Sequence, residues 1–155
     1  MRRTKPEKRD LIPDVRYNSQ VVQNMIHHIM KRGKMSLATR LVYDAFEMVE
    51  DRTKRNGLEI FETAIKNVGP AMEVKPRRVG GATYQVPMEV PADRRMTLAF
   101  RWLIDSARAR TGNSFSEKLS AEFMEAAANQ GSAVRKRDET HKMAEANRAF
   151  SHFRL

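Results

Sequence analysis

From Asn18 or Ser19 to about Arg32 the apolar residues fall at Val22, Met25, Ile26, Ile29 and Met30, the spacing of one helical face, and Gly33 closes the segment. Ser36 is the expected N-cap of a second helix, whose stripe is Leu37, Ala38, Leu41, Val42, Ala45, Phe46 and Val49, ending near Asn56-Gly57. Ile60, Phe61, Ala64, Ile65 and Val68 predict a third helix, stopped by Gly69-Pro70. Loops this short make the three helices antiparallel neighbours. Asp93 is expected to cap a fourth helix opening at Arg94-Arg95, with Met96, Ala99, Phe100, Leu103 and Ala107 inward and Arg101, Trp102 and Arg108 off the stripe. Ser114-Phe115-Ser116-Glu117 has the form of a capping box and starts a fifth helix, slim on its apolar side with Leu119, Phe123, Ala126 and Ala127, which Gly131 ends. A sixth runs from Ser132 to about Phe150 with few, small apolar residues.

Between the third and fourth helices the pattern changes period. Met72 to Val90 holds two short β-branched or aromatic runs around Gly80 and Gly81, the residues best able to take the positive φ of a hairpin turn. A three-residue loop, Gly80 to Ala82, would set Met72 and Val74 against Val90 and Met88 and gather the apolar side chains on one face, so that register is expected. Arg78 would then stand beside Tyr84 near the tip. Pro76 and Pro87 lack an N–H, which keeps both strands out of a wider sheet. The fold class is therefore mainly α: a six-helix single domain, residues 1–155, with one protruding β-hairpin at about 72–90. A flexible basic arm (1–12) precedes the helices, and a basic helix and tail (132–155) end the chain.

Composition changes the picture through charge. The 155 residues carry a formal net charge of +10 and no cysteine. Residues 1–10 hold five basic and two acidic side chains, residues 72–101 six and three, and residues 132–155 six and three, so three segments hold nine of the ten excess charges. A cationic surplus at the two ends and the hairpin, around a near-neutral body, is the footprint of a nucleic-acid binder. Lack of cysteine excludes disulfides and thiolate metal sites and suits a reducing compartment. No apolar run reaches the length of a membrane span, and no apolar segment follows the charged N-terminus as in a signal peptide.

Candidate chemistry is sparse. Adjacent His27 and His28 point about 100° apart on a helix, and His141 and His152 lack partners at ligand spacing, so no metal and no cofactor is expected. Gly80-Gly81 lacks a phosphate-loop pattern, and Gly33-Lys34-Met35-Ser36 joins two helices; no nucleophile elbow is present and no enzyme is expected. Arg77, Arg78, Arg94 and Arg95 bracket the exposed ribbon beside Tyr84, whose ring could stack on an unpaired base, whereas Trp102 reads as core. In the sixth helix Arg135, Lys136 and Arg137 oppose the positive end of the helix dipole, a cost that a neighbouring anion would relieve. A histone-like DNA binder is the rival class, but the cations do not gather on one recognition helix.

The run Val74-Lys-Pro-Arg-Arg-Val-Gly-Gly-Ala-Thr-Tyr-Gln-Val-Pro-Met-Glu-Val90, then Asp93-Arg-Arg95 and Arg101-Trp102, resembles the family of the seventh protein of the small ribosomal subunit in its bacterial and organellar form. So do Arg32-Gly-Lys-Met-Ser-Leu-Ala38 and the stretch from Ala133 to Phe150, and the likeness runs essentially end to end. The resemblance implies a monomeric, non-catalytic component of the small subunit that binds the 3′ major domain of its rRNA, nucleates assembly of the head and lies near the exit-site tRNA and the mRNA path. Implied protein neighbours are small-subunit proteins nine and eleven first, then thirteen and nineteen; no membrane is implied, and the location is the cytoplasmic ribosome, with an organellar ribosome as the alternative. For rRNA the likeness points to Arg2, Arg3, Lys5, Lys8, Arg9, Lys34, Lys75, Arg77, Arg78, Arg94, Arg95 and Arg101. Near tRNA and mRNA it places Arg78, Gly80, Gly81, Tyr84, Arg135, Lys136, Arg137, Lys142 and Arg148. Met35, Pro91 and Leu155 depart from the family pattern, which commonly has Lys, Arg and Trp there.

Overall fold

The computed structural model describes residues 11–153. The basic arm residues Arg2, Arg3, Lys5, Lys8 and Arg9, and the departure at Leu155, lie outside them. Within this span the order is α1 (Gln20–Ile29), α2 (Met35–Thr53), α3 (Gly57–Val68), β1 (Met72–Val79), β2 (Ala82–Glu89), α4 (Ala92–Ala109), α5 (Phe115–Ala127) and α6 (Ser132–Ala146), then a 3₁₀ segment (Arg148–Phe153). Six helices and one hairpin form a single domain, as the hydrophobic periodicity requires.

Local chemistry sets most helix starts. Ser19 Oγ accepts from the Val22 N–H at 3.4 Å, Asn56 Oδ1 from Leu58 at 2.9 Å and Ser114 Oγ from Glu117 at 3.1 Å, each satisfying a donor that the first turn leaves open. Two expected caps differ. Met35, not the residue after Ser36, opens α2, because Gly33 and Arg32 take positive φ and the turn closes with Met35 N–H donating to Gly33 O at 2.9 Å. Pro91, not Asp93, occupies the cap of α4, since Arg95 N–H reaches Pro91 O at 2.8 Å and puts Asp93 in the first turn. Two helices also stop early: α1 at Ile29, where Met30 turns extended, and α6 at Ala146, beyond which the chain tightens into the 3₁₀ segment.

The core is built on four fully buried phenylalanines, Phe46 of α2, Phe61 of α3, Phe100 of α4 and Phe123 of α5. Phe61 lies 5.2 Å from both Phe46 and Phe123 between ring centroids and 6.4 Å from Phe100, so one ring ties four helices. Helix α5, slim in sequence, is central in space: Leu119, Phe123 and Ala126 are fully buried and it packs on α2, α3 and α4. Trp102 packs half-buried against this cluster.

The hairpin corrects the expected register. Val79 pairs with Ala82, Arg77 with Tyr84, Lys75 with Val86 and Met72 with Glu89, so the loop is the two residues Gly80-Gly81 and not the three from Gly80 to Ala82. Gly80 has φ +59° and Gly81 φ +89°, and a two-residue turn with positive φ at both positions has the twist that antiparallel strands need. Gathering apolar side chains on one face does not set the register because the root is covered on both faces: Val86 is fully buried while its neighbour Pro87, pointing the other way, is buried too. Arg78 therefore faces Thr83, and Arg77 stands opposite Tyr84.

Candidate nucleic-acid interface

From Pro76 to Thr83 every residue is exposed, and the two strands form a sheet of their own among the described residues. Successive residues on a strand point to opposite faces, so Arg77 and Arg78 make both sides of the ribbon tip cationic. Tyr84 is not an open platform: it is half-buried with its ring 5.3 Å from that of Phe150. The tail thus braces the ribbon at mid-height.

Nearer the root, some cations are tied to the protein itself. The buried Glu73 carboxylate accepts from Arg94 Nε at 2.9 and 3.0 Å and pairs with Lys75 Nζ at 3.2 Å. Burial alone would raise the Glu73 pKa, but the hydrogen bonds from Arg94 and Lys75 outweigh it and hold the carboxyl below its usual range. Arg95 Nε donates to Gly69 O at 3.0 Å, and a Cβ at Gly69 would come within 2.9 Å of Arg95 Cγ, so a side chain there would push Arg95 aside. Arg94 and Arg95 stay exposed nonetheless. Besides being surface cations, Arg94 holds β1 and Arg95 the chain just before it.

Helix α6 sorts its charges by face. Arg135, Lys136 and Lys142 are exposed, with Lys136 3.4 Å from Glu139, and Arg148 of the 3₁₀ segment is exposed beside Glu145 at 3.5 Å. Arg137 turns inward, its side chain 17% exposed. It donates to Asn67 O, to Asn129 Oδ1 at 2.9 Å and to Asp138 at 2.6 and 2.9 Å. The positive helix end has an internal answer as well. Glu122, fully buried on α5, accepts from the Ala133 N–H at 3.0 Å and from Arg110 Nε at 2.7 Å, so a protein carboxylate meets one of the open N–H groups at the start of α6.

Packing also assembles a cationic strip that sequence order hides. A hollow of about 470 Å³ between the α1–α2 turn and α4/α5 is lined by Lys31, Arg32, Lys34, Leu37 and Arg108, with Phe115 among its apolar walls. Arg108 also lines the adjoining hollow of about 270 Å³ with Arg101 and His28. Lys34 and Arg101, expected from sequence, thus meet Lys31, Arg32 and Arg108, which were not singled out. The basic run Lys31-Arg32-Gly33-Lys34 was the available signal; Arg108 had none, because only the fold sets α4 beside that turn. Asp105, 3.7 Å from Arg108, is the acidic group of the strip.

The ribbon root contains a titratable contact. His141 Nε2 accepts from the Ala71 N–H at 3.0 Å, which requires the neutral ring with its proton on Nδ1. Burial first, then the charge of Arg137 and, more weakly, of Arg95 hold the His141 pKa below its ordinary 6.5, against the opposing pull of Asp138. Because the folded value is lowered, the unfolded chain binds more protons between the two values. The stabilisation is complete above pH about 6.5 and is lost as pH falls through the folded value. Urea midpoints measured at pH 7.5 and 5.5 should differ less for His141→Gln, whose side-chain carbonyl can still accept the Ala71 N–H, than for the unaltered protein; equal differences would refute the assignment. The lowered carboxyls Glu73 and Glu125 act in a separate window, below their usual 4.5.

A helical body that presents guanidinium and ammonium groups on a ribbon tip, a turn and one helix face belongs to the class of cationic nucleic-acid-binding proteins. Comparison with known families makes this specific. The model of the family "Ribosomal protein S7p/S5e" matches residues 1–148, and the chain belongs to that family, whose members are structural, non-enzymatic components of the ribosome. Similar proteins include "Small ribosomal subunit protein uS7" of Thermomicrobium roseum and of Azorhizobium caulinodans, each 56% identical over 99% of this chain and 98% of its own length. The protein of the same name in Prochlorococcus marinus is 52% identical over the same shares.

Proposed function

We propose that this chain is a primary rRNA-binding protein of the small subunit, seated on the 3′ major domain, where it nucleates assembly of the head, with its ribbon and C-terminal helix toward the exit-site tRNA and the mRNA path. The observation that carries the reading is the separation of its exposed cations. The ribbon tip with Arg77 and Arg78, the strip from Lys34 to Arg101, and the outer face of α6 with Arg135, Lys136 and Lys142 are distinct patches on one fold. Separate patches suit a folded junction, in which several phosphate backbones come together at fixed angles. Phosphate neutralisation supplies affinity, and the shape of the RNA supplies selectivity.

Arg148, Gly80 and Gly81 extend the face turned to tRNA and mRNA, and small-subunit proteins nine, eleven, thirteen and nineteen are the proposed protein neighbours. Hydroxyl-radical footprinting on small-subunit rRNA should protect nucleotides of the 3′ major domain alone. In competition at matched salt, a folded fragment of that domain should displace the protein from duplex DNA. Protection elsewhere in the rRNA, or equal competition by duplex DNA, would refute the reading and favour a general architectural binder.

A further inference from the structure

The last turn of α3 and the short link that follows it, residues 67–71, lead from the helical body into the ribbon's first strand, and this hinge is held at three backbone atoms. Arg137 donates to Asn67 O, Arg95 Nε donates to Gly69 O at 3.0 Å, and the Ala71 N–H donates to His141 Nε2 at 3.0 Å. Asn67 Nδ2 in turn donates to Ala126 O and Ala127 O, both at 3.0 Å, which fixes the hinge to the end of α5. Where the ribbon returns to the body, Val90 N–H donates to Ala71 O at 3.0 Å.

The inward face of α6 explains why these partners are there. Its buried positions are Ala133, Val134, Thr140 and Ala144, and Arg137 and His141 fall between them at helical spacing on the same side. A helix that packed only for hydrophobic burial would place apolar side chains at those two positions. Here Arg137 binds a backbone carbonyl in the last turn of α3 instead, and His141 the N–H of Ala71 just before β1.

We propose that Arg137 and His141 are positioning residues, a latch by which α6 sets the angle of the β-ribbon against the helical body, so that Arg137 acts on RNA recognition without touching RNA. The proposal rests on the rRNA-binding reading above for its functional consequence, but the latch itself is a property of the protein alone. An isolated two-stranded ribbon has little rigidity of its own. Fixing its root makes the spacing between its tip and the cationic strip definite, and a folded RNA can then be matched to it. A ribbon that samples many angles is competent for only a fraction of the time, and apparent affinity falls by that fraction.

The absence of cysteine from the chain makes the test direct. Nitroxide labels on Ala82→Cys at the tip and Glu62→Cys on the exposed side of α3 report the ribbon angle as a distance distribution in pulsed dipolar spectroscopy of the free protein. The distribution should be narrow in the labelled parent, broad or displaced in Arg137→Gln and in His141→Ala, and narrow again in Arg137→Lys, which can still donate to Asn67 O. Affinity for the 3′ major domain fragment should fall about five- to tenfold in Arg137→Gln if the competent fraction drops to one part in five or ten. The salt slope should stay unchanged, whereas a lost phosphate contact lowers it by about 0.7–0.9.

An unchanged distance distribution in both variants overturns the latch. So does a lower slope with an unchanged distribution, which would make Arg137 a phosphate contact. If Arg137→Gln does not fold, His141→Ala decides, since it removes a single hydrogen bond at the edge of the body. Failure of the parent to bind rRNA would sink the functional reading, and the distance measurement would still judge the latch.

Discussion

Glu122→Ala should be the most destabilising single substitution at any charged position among the described residues, by about 3–5 kcal/mol, because it strips the partner from a buried ion pair. Glu122 is fully buried, and both oxygens are engaged: one by the Ala133 N–H at 3.0 Å, the other by Arg110 Nε at 2.7 Å. Removing the carboxylate leaves an open donor at the start of α6 and a guanidinium, 22% exposed, with only Glu125 to pair with. In a chain of 155 residues that loss corresponds to a fall in Tm of roughly 10 °C. Arg110→Met combined with Glu122→Leu should cost less than Glu122→Ala, since no buried charge is then stranded, with the Ala133 N–H as the residual penalty of about 1–3 kcal/mol. A thermal or urea melt of Glu122→Ala within about 1 kcal/mol of the parent would show that the site does not hold α4, α5 and α6 together.

The largest functional effect is expected at the ribbon tip. Arg77→Ala with Arg78→Ala removes an exposed cation from each face of the ribbon, far from the core. Two lost phosphate contacts should lower the slope of log K against log salt by about 1.4–1.8, which at 0.1 M salt amounts to roughly 25- to 60-fold in affinity for the 3′ major domain fragment. Stability should move by no more than about 0.5 kcal/mol, as for other surface substitutions, and Lys66→Ala on exposed α3 should leave the slope alone. A salt titration in which the double variant keeps the parent slope would remove the ribbon tip from the RNA interface.

Much of the fold was legible because its signals are local. Ser19 and Ser114 cap helices by reaching three residues along the chain, and the apolar stripes needed only a period of about 3.6 residues. The ribbon's register was misread for a reason equally physical. Facial sorting assumes one wet face, but this root is covered on both, and the glycine pair then decided the turn through backbone conformation alone. Exposed cations were legible where they cluster in sequence, at Arg77-Arg78 and at Arg135-Lys136 on α6. Arg108, read as lying off the apolar stripe, was not joined to Lys34 because only the fold sets α4 beside the α1–α2 turn, and Arg137 was grouped with the surface cations because a charge count is blind to which way a side chain faces.

By itself the sequence determined that six amphipathic helices and a glycine-turned hairpin would form, and that positive charge would concentrate at the hairpin and the two ends. Those outcomes depend on residue spacing, turn chemistry and ionisation, all of which act over a few residues. Only the tertiary structure decided which cations face solvent and which grip the protein's own backbone. Asn67 and Arg137 are 70 residues apart, as are Ala71 and His141, and contacts at that separation exist only after the helices have packed and water has been expelled from between them.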